Sequence, residues 1–245
     1  MDDEPSFAEL TATQLERHAD VTATGFTDPH AALEALADAD CVVSDYDMPT
    51  MTGLDFLERV RARDPDLPFV LFTGKGSEAV ASEAISKGVT EYLQKSTDAS
   101  QYEVLANRVE NAIGRYRAEQ ELEREREVVD RILELTPVGI VVHDATGDVV
   151  VANRRARQLL QMPEASLHVR AYDASAWTLY GPAGEALESA DLPAQRVIDD
   201  GTPIRGERFD VEVAGVHREL LLSAEPLTGG DDAVDRVVVA FATRD

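Results

Sequence analysis

Cys41-Val42-Val43-Ser44-Asp45-Tyr46-Asp47-Met48-Pro49 decides the reading of the first half of this chain. A short apolar run ends in an aspartate, and a Met-Pro turn follows. Two later apolar runs also end in a polar side chain. Phe69-Val70-Leu71-Phe72 ends in Thr73, and Glu91-Tyr92-Leu93-Gln94 ends in Lys95. The chain itself opens on Met1-Asp2-Asp3-Glu4-Pro5. An acidic pair, a further Asp, a hydroxyl and a Lys each stand at the end of an element.

That set has a chemical use. A carboxylate is a poor nucleophile toward phosphate until charge repulsion is removed. A hard dication held by carboxylates and carbonyl oxygens removes it. A Lys and a hydroxyl can then bind the other phosphoryl oxygens, and positioning does most of the work. Asp2, Asp3, Asp45, Thr73 and Lys95 supply these parts. Singly, each has a plain explanation: Asp45 a turn former, Thr73 a strand end, Lys95 a solvated charge. Their joint order is what points to a site.

Outward from this stretch, helical and strand signals alternate from residue 7 to about 115. Phe7 to His18 has helical spacing, and Val21 to Phe26 reads as a strand. Asp28-Pro29 is an N-cap followed by Pro at the first helical position. Cys41 to Ser44 and Phe69 to Phe72 read as short buried strands, with a helix over Leu54 to Arg63 between them. Ser77 caps a helix that stops at Gly88, Val89 to Gln94 is a strand, and Asp98 opens a long helix. Such alternation predicts a doubly wound α/β fold with a parallel sheet. Ligands of such sheets sit at the carboxyl ends of the strands, where Asp45, Thr73 and Lys95 fall.

The long helix continues through the charged run Glu119 to Glu127 as a solvated connector. Its apolar seam is too interrupted to establish a coiled coil. From Pro137 the pattern changes. Gly139 to His143 and Val149 to Ala152 form a hairpin around Ala145-Thr146-Gly147-Asp148, and a helix follows over Arg154 to Leu160. A mixed region containing Trp177 leads to a helix near Leu192 to Ile198. Three strands close the chain, Glu207 to Val213, Val216 to Ala224 and Val234 to Thr243, the first pair joined by a tight turn at Ala214-Gly215. This order predicts an antiparallel α+β domain.

The bulk properties narrow the function classes. A chain of 245 residues is enough for one or two domains. No apolar run is long enough to span a bilayer, and the start lacks a signal peptide's basic and apolar regions. The lone cysteine, Cys41, excludes an internal disulfide and agrees with a cytoplasmic protein. A net charge of −24 opposes direct nucleic-acid binding. With only Lys75, Lys87 and Lys95 as lysines, it also suggests a salt-adapted, haloarchaeal-type proteome.

Residues 1 to about 115 resemble the response-regulator receiver domain of two-component signalling. The carriers are Asp2-Asp3-Glu4-Pro5, Ser44-Asp45-Tyr46-Asp47-Met48-Pro49 with Gly53, Phe72-Thr73-Gly74, and Tyr92-Leu93-Gln94-Lys95. The resemblance implies a flavodoxin-like fold with Asp45 as phosphoacceptor. It implies Mg2+ on Asp3 directly, on Asp2 with it, on Asp45, and on the backbone carbonyl of Asp47. Thr73 and Lys95 would contact the phosphoryl group, and Tyr92 would be an aromatic switch. Ser96 departs from the family, which has proline after the lysine.

Residues about 126–245 resemble a PAS domain. The carriers are Leu135-Thr136-Pro137-Val138-Gly139-Ile140, Val149-Val150-Val151-Ala152-Asn153, Gly201-Thr202-Pro203-Ile204-Arg205-Gly206, and the last two strands. PAS domains bind haem, flavin or small molecules, or only dimerise, so the ligand stays open and none is one option. This region has no cysteine for a flavin adduct. His143, His168 and His217 are isolated and read as core or surface residues, and Trp177 reads as a packing anchor. Gly229-Gly230-Asp231-Asp232 reads as turn chemistry.

The division expected is a receiver over 1–115, a connector helix over 116–132 and a PAS domain over 133–245. The implied partners are a histidine kinase upstream and a signalling protein downstream. A second copy of the chain, through the connector or the PAS module, is a further candidate, with no direct nucleic acid and no membrane. The alternative is the receiver-PAS part of a truncated hybrid sensor kinase; a phosphoacceptor His in a helical hairpin and a Gly-rich ATP lid are not found. A DNA-binding regulator finds no unassigned helix-turn-helix region. The family also has an apolar strand before the acidic pair. That predicts a native chain longer by about 5–10 residues, with Met1 a miscalled start.

Overall fold

A computed structural model describes residues 1–74, 78–98, 100–162, 177–230 and 233–243. The chain divides into two compact units, Met1–Glu125 and Arg126–Asp245.

In the first unit, α1 (Pro5–His18) starts on a proline, whose fixed φ suits the first helical turn. The Asp28 carboxylate accepts the N–H of His30 and opens α2 (Pro29–Glu34) as an N-cap. Strand β1 (Val42–Ser44) pairs in parallel with β2 (Phe69–Thr73), which pairs in parallel with β3 (Glu91–Gln94). Every residue of β2 is buried, as a central strand covered on both faces requires. α3 (Gly53–Arg61) presents Leu54, Phe56, Leu57 and Val60 to one core. Leu15, Val70, Phe72, Leu105 and Val109 form a second core, on the side of α5 (Gln101–Leu135). α4 (Glu78–Ser86) precedes β3, and Gly88 takes φ +79 after it. Ser77 lies outside the described residues.

The expected strand at Val21–Phe26 is corrected. These residues are not paired into the sheet; Asp2 N–H donates to Phe26 O at 3.1 Å, and Ala23 N–H to a Glu16 carboxylate oxygen at 3.0 Å. A cavity of about 750 Å³ separates this segment from β1, with Ala8, Leu15, Val43 and Phe72 among its lining. Without a neighbour at hydrogen-bonding distance, strand propensity produces no ladder. Met1 and Asp2 occupy one end of the gap. The Met1 amino group donates to Val43 O at 2.8 Å, and Asp45 N–H donates to Met1 O at 2.9 Å. Two residues thus fix the acidic pair against β1.

α5 is one helix of 35 residues. Leu105, Ala106, Val109 and Ala112 are buried, whereas Leu122, Val129 and Ile132 are exposed. No helix among the described residues is long and apolar enough to cross a membrane.

The second unit is a six-stranded antiparallel sheet, in the order β5-β4-β9-β8-β7-β6. Its strands are β4 (Gly139–Asp144), β5 (Val149–Ala152), β6 (Trp177–Tyr180), β7 (Ile204–Val213), β8 (Val216–Thr228) and β9 (Val234–Thr243). Alternating burial along β4 and β7–β9 marks one face as core. α6 (Arg154–Leu160) and α7 (Pro193–Asp200) pack on it with Leu159, Leu160 and Val197. The β7–β8 turn takes φ +50 at Ala214 and +78 at Gly215, the left-handed pair of a type I′ hairpin. Trp177 is half-buried against this core, as expected of a packing anchor. His143 is buried, and its Nδ1 lies 2.9 Å from Gly147 O. His168 lies outside the described residues, as do Asp231 and Asp232.

Candidate functional site

Asp45, Thr73 and Lys95 stand at the carboxyl ends of β1, β2 and β3, and Asp45 and Lys95 lie beside the acidic pair. Asp45 follows β1 directly. Ser44, fully buried, donates its hydroxyl to Asp45 O at 2.8 Å and steadies the strand end. The loop to α3 closes through Gly53 N–H to Tyr46 O at 2.8 Å. A Cβ at Gly53 would collide with the Asp45 carbonyl and with Leu71, so only glycine allows this approach. Thr52 and Asp55 form a reciprocal capping box that fixes the start of α3. The exposed Asp55 carboxyl is lowered below its ordinary value, first by the Thr52 hydroxyl.

Asp2, Asp3 and Asp45 bring carboxylate oxygens within 4.8 Å of one another. Asp2 is buried, with Oδ1 accepting Glu4 N–H at 3.1 Å and Oδ2 accepting the Lys95 ammonium at 2.7 Å. Asp3 is exposed. Lys95 Nζ also lies 3.4 Å from Asp45 Oδ1, yet that buried oxygen has no hydrogen-bond partner among the described residues. The contact is an ion pair without a directed hydrogen bond. Three clustered carboxylates with one buried orphan oxygen are a hard-donor set that fits a divalent cation. Desolvation lowers the neighbouring Met1 amino group to about 6.

Thr73 is fully buried at the end of β2, and its carbonyl accepts Lys95 N–H at 2.8 Å. Tyr92, half-buried on β3, stands in register with Leu71 and packs against the first core. Lys95–Ser96 is trans, and Ser96 N–H donates to Gln101 Oε1 at 2.9 Å. Sequence reasoning missed Phe7 and Phe72. The Lys95 ammonium lies 5.2 Å from the Phe7 ring centroid and 5.7 Å from that of Phe72. Both residues read as apolar positions of ordinary elements; nothing in their spacing indicates a cation between them.

Residues 1–107 match the response regulator receiver domain, and residues 127–202 match a PAS domain. The photosynthetic apparatus regulatory protein RegA of Cereibacter sphaeroides is 31% identical over 168 residues, covering 64% of this chain and 91% of RegA. This chain belongs to the response regulators. It is a receiver domain followed by a PAS domain. The transcriptional regulatory protein FixJ of Bradyrhizobium diazoefficiens is 38% identical over 74 residues, 29% of this chain and 36% of FixJ. The match to the phosphoglycerate transport regulator PgtA of Salmonella typhimurium covers 25% of that protein, so this chain spans only part of several curated relatives. A response regulator receiver domain from Clostridium thermocellum is 26% identical over 48% of this chain and 93% of its own, with a TM-score of 0.43.

Proposed function

We propose that this response regulator takes a phosphoryl group onto Asp45 from a partner histidine kinase. The observation that carries the reading is the buried Oδ1 of Asp45, without a hydrogen bond among the described residues, set among Asp2 and Asp3 and 3.4 Å from Lys95. A carboxylate oxygen of Asp45 attacks the phosphorus of a phosphohistidine. The P–N bond breaks, the imidazole leaves with the electron pair, and an acyl phosphate forms. Asp2, Asp3, Asp45 and the Asp47 carbonyl are the groups that would hold Mg2+, which when bound offsets the repulsion between carboxylate and phosphoryl charges. Lys95 and the Thr73 hydroxyl are assigned to the remaining phosphoryl oxygens.

Tyr92 is assigned as the switch that follows Thr73. The phosphorylation state passes along the connector, residues 116–132, from the receiver over 1–115 to the PAS module over 133–245. That module signals to a downstream protein in the cytoplasm. Its ligand stays open, as does the use of a second copy of the chain. The test is intact mass after incubation with acetyl phosphate and Mg2+. One phosphoryl mass is expected on the protein and none on Asp45→Asn; equal labelling of the Asn variant would sink the assignment.

A further inference from the structure

The Lys95 ammonium has two kinds of neighbour. Asp2 and Asp45 are anions, at 2.7 and 3.4 Å. Phe7 and Phe72 are neutral rings, at 5.2 and 5.7 Å to their centroids. Both ring distances fall within the roughly 6 Å over which a ring quadrupole attracts a cation. The Lys95 side chain is only 19% exposed, so the attraction acts with much of the solvent excluded. Phe72 is itself held, with its ring edge-on to Tyr102 at 5.9 Å. Phe7 stands in the first turn of α1, four residues after Asp3, and is 41% exposed.

We propose that Phe7 and Phe72 are positioning residues: they form an aromatic cradle that keeps the Lys95 ammonium beside Asp45. The inference rests on the reading of Asp45 as phosphoacceptor and Lys95 as a phosphoryl contact. Its chemical logic lies in what each neighbour costs the lysine. The carboxylates that hold Lys95 are the same ones a dication would engage, and each cancels part of the charge a phosphoryl group needs. The rings hold the cation without neutralising it and accept none of its N–H groups as conventional acceptors. The lysine therefore stays beside Asp45, and the N–H groups that Asp2 does not accept can turn toward a phosphoryl oxygen. A long, rotamer-rich side chain would otherwise lose entropy when it is fixed there.

The chain has three lysines, so protein labelled with 13C at the lysine ε carbon gives a spectrum of three methylene signals. The Lys95 methylene, assigned by Lys95→Arg, should lie upfield of the other two through ring currents. In Phe7→Leu it should move toward them, and the rate of labelling by acetyl phosphate with saturating Mg2+ should fall about threefold to tenfold. Phe7→Tyr, which keeps a ring, should restore both. An unshifted Lys95 signal in the unsubstituted protein overturns the cradle without reference to any variant's folding. A Phe7→Leu protein that is labelled at the unsubstituted rate overturns the positioning role. Equal labelling of Asp45→Asn is a separate outcome: it removes the phosphoacceptor reading, and the proposal with it.

Discussion

The side-chain amide of Asn153 donates to Leu133 O at 2.8 Å, tying the last turns of α5 to the junction of β5 and α6. The same nitrogen donates to Val138 O at 2.9 Å. The amide oxygen accepts Ile140 N–H and Ala156 N–H, both at 2.9 Å. Two carbonyls on one side and two N–H groups on the other admit a single amide orientation. Asn153 is buried, so no water replaces these bonds. It joins the end of α5, the first strand of the PAS sheet and the N-cap of α6 in one residue.

Asn153→Ala should therefore destabilise the second unit by about 2–4 kcal/mol, as four backbone groups lose their partner. Asn153→Asp keeps the acceptor for Ile140 and Ala156 but loses both donors, and should fall near or below the Ala variant. Urea unfolding followed by the Trp177 fluorescence, the single tryptophan, reads this unit alone. An unchanged midpoint in both variants would contradict the clamp.

Gly53→Ala should cost about 3 kcal/mol in the receiver unit, because its methyl group meets a backbone carbonyl that cannot move without shifting Asp45. Acetyl phosphate labelling should slow more than folding alone explains, since the displaced carbonyl belongs to Asp45. Labelling at the normal rate with a normal unfolding midpoint would contradict this.

The pH dependence of the second unit should carry the mark of His143. Its Nδ1 faces a carbonyl, which only accepts, so Nδ1 bears the proton and donates to Gly147 O. Burial lowers its pKa below the ordinary 6.5, against the smaller opposing effects of that hydrogen bond and of Asp144. The unfolded chain thus binds the proton more readily than the folded one. Stability from this group is fully present above pH 6.5 and is lost as pH falls through that value toward the folded pKa. NMR titration should give His143 a midpoint below 6.5. Replacement by Phe should flatten the acid limb of the unfolding midpoint. A midpoint above 6.5 would reverse the sign and defeat the prediction.

The charge of −24 should make the fold depend on salt. Self-repulsion in the compact state is screened as ionic strength rises, so the thermal midpoints should climb with KCl. A midpoint that falls with KCl would remove the reading of salt adaptation.

Much of this protein is legible in the residues themselves. Asp28-Pro29 announces a capped helix, Ala214-Gly215 a tight hairpin, and the buried run Phe69 to Phe72 a central strand; each is a local preference that packing reinforces. Asp45, Thr73 and Lys95 at three strand ends likewise follow from short-range pattern and the topology of parallel sheets. Tertiary structure alone decides the rest. Val21 to Phe26 has strand composition, but a ladder needs a partner, and the cavity between it and β1 provides none. The pairing of Lys95 with Asp2, across 93 positions of chain, depends on how the sheet brings both to one edge. Phe7 and Phe72 flank that ammonium for the same reason. Periodicity records which face of an element is apolar, whereas a cation near two rings is a property of three elements meeting, and no window of sequence contains them all.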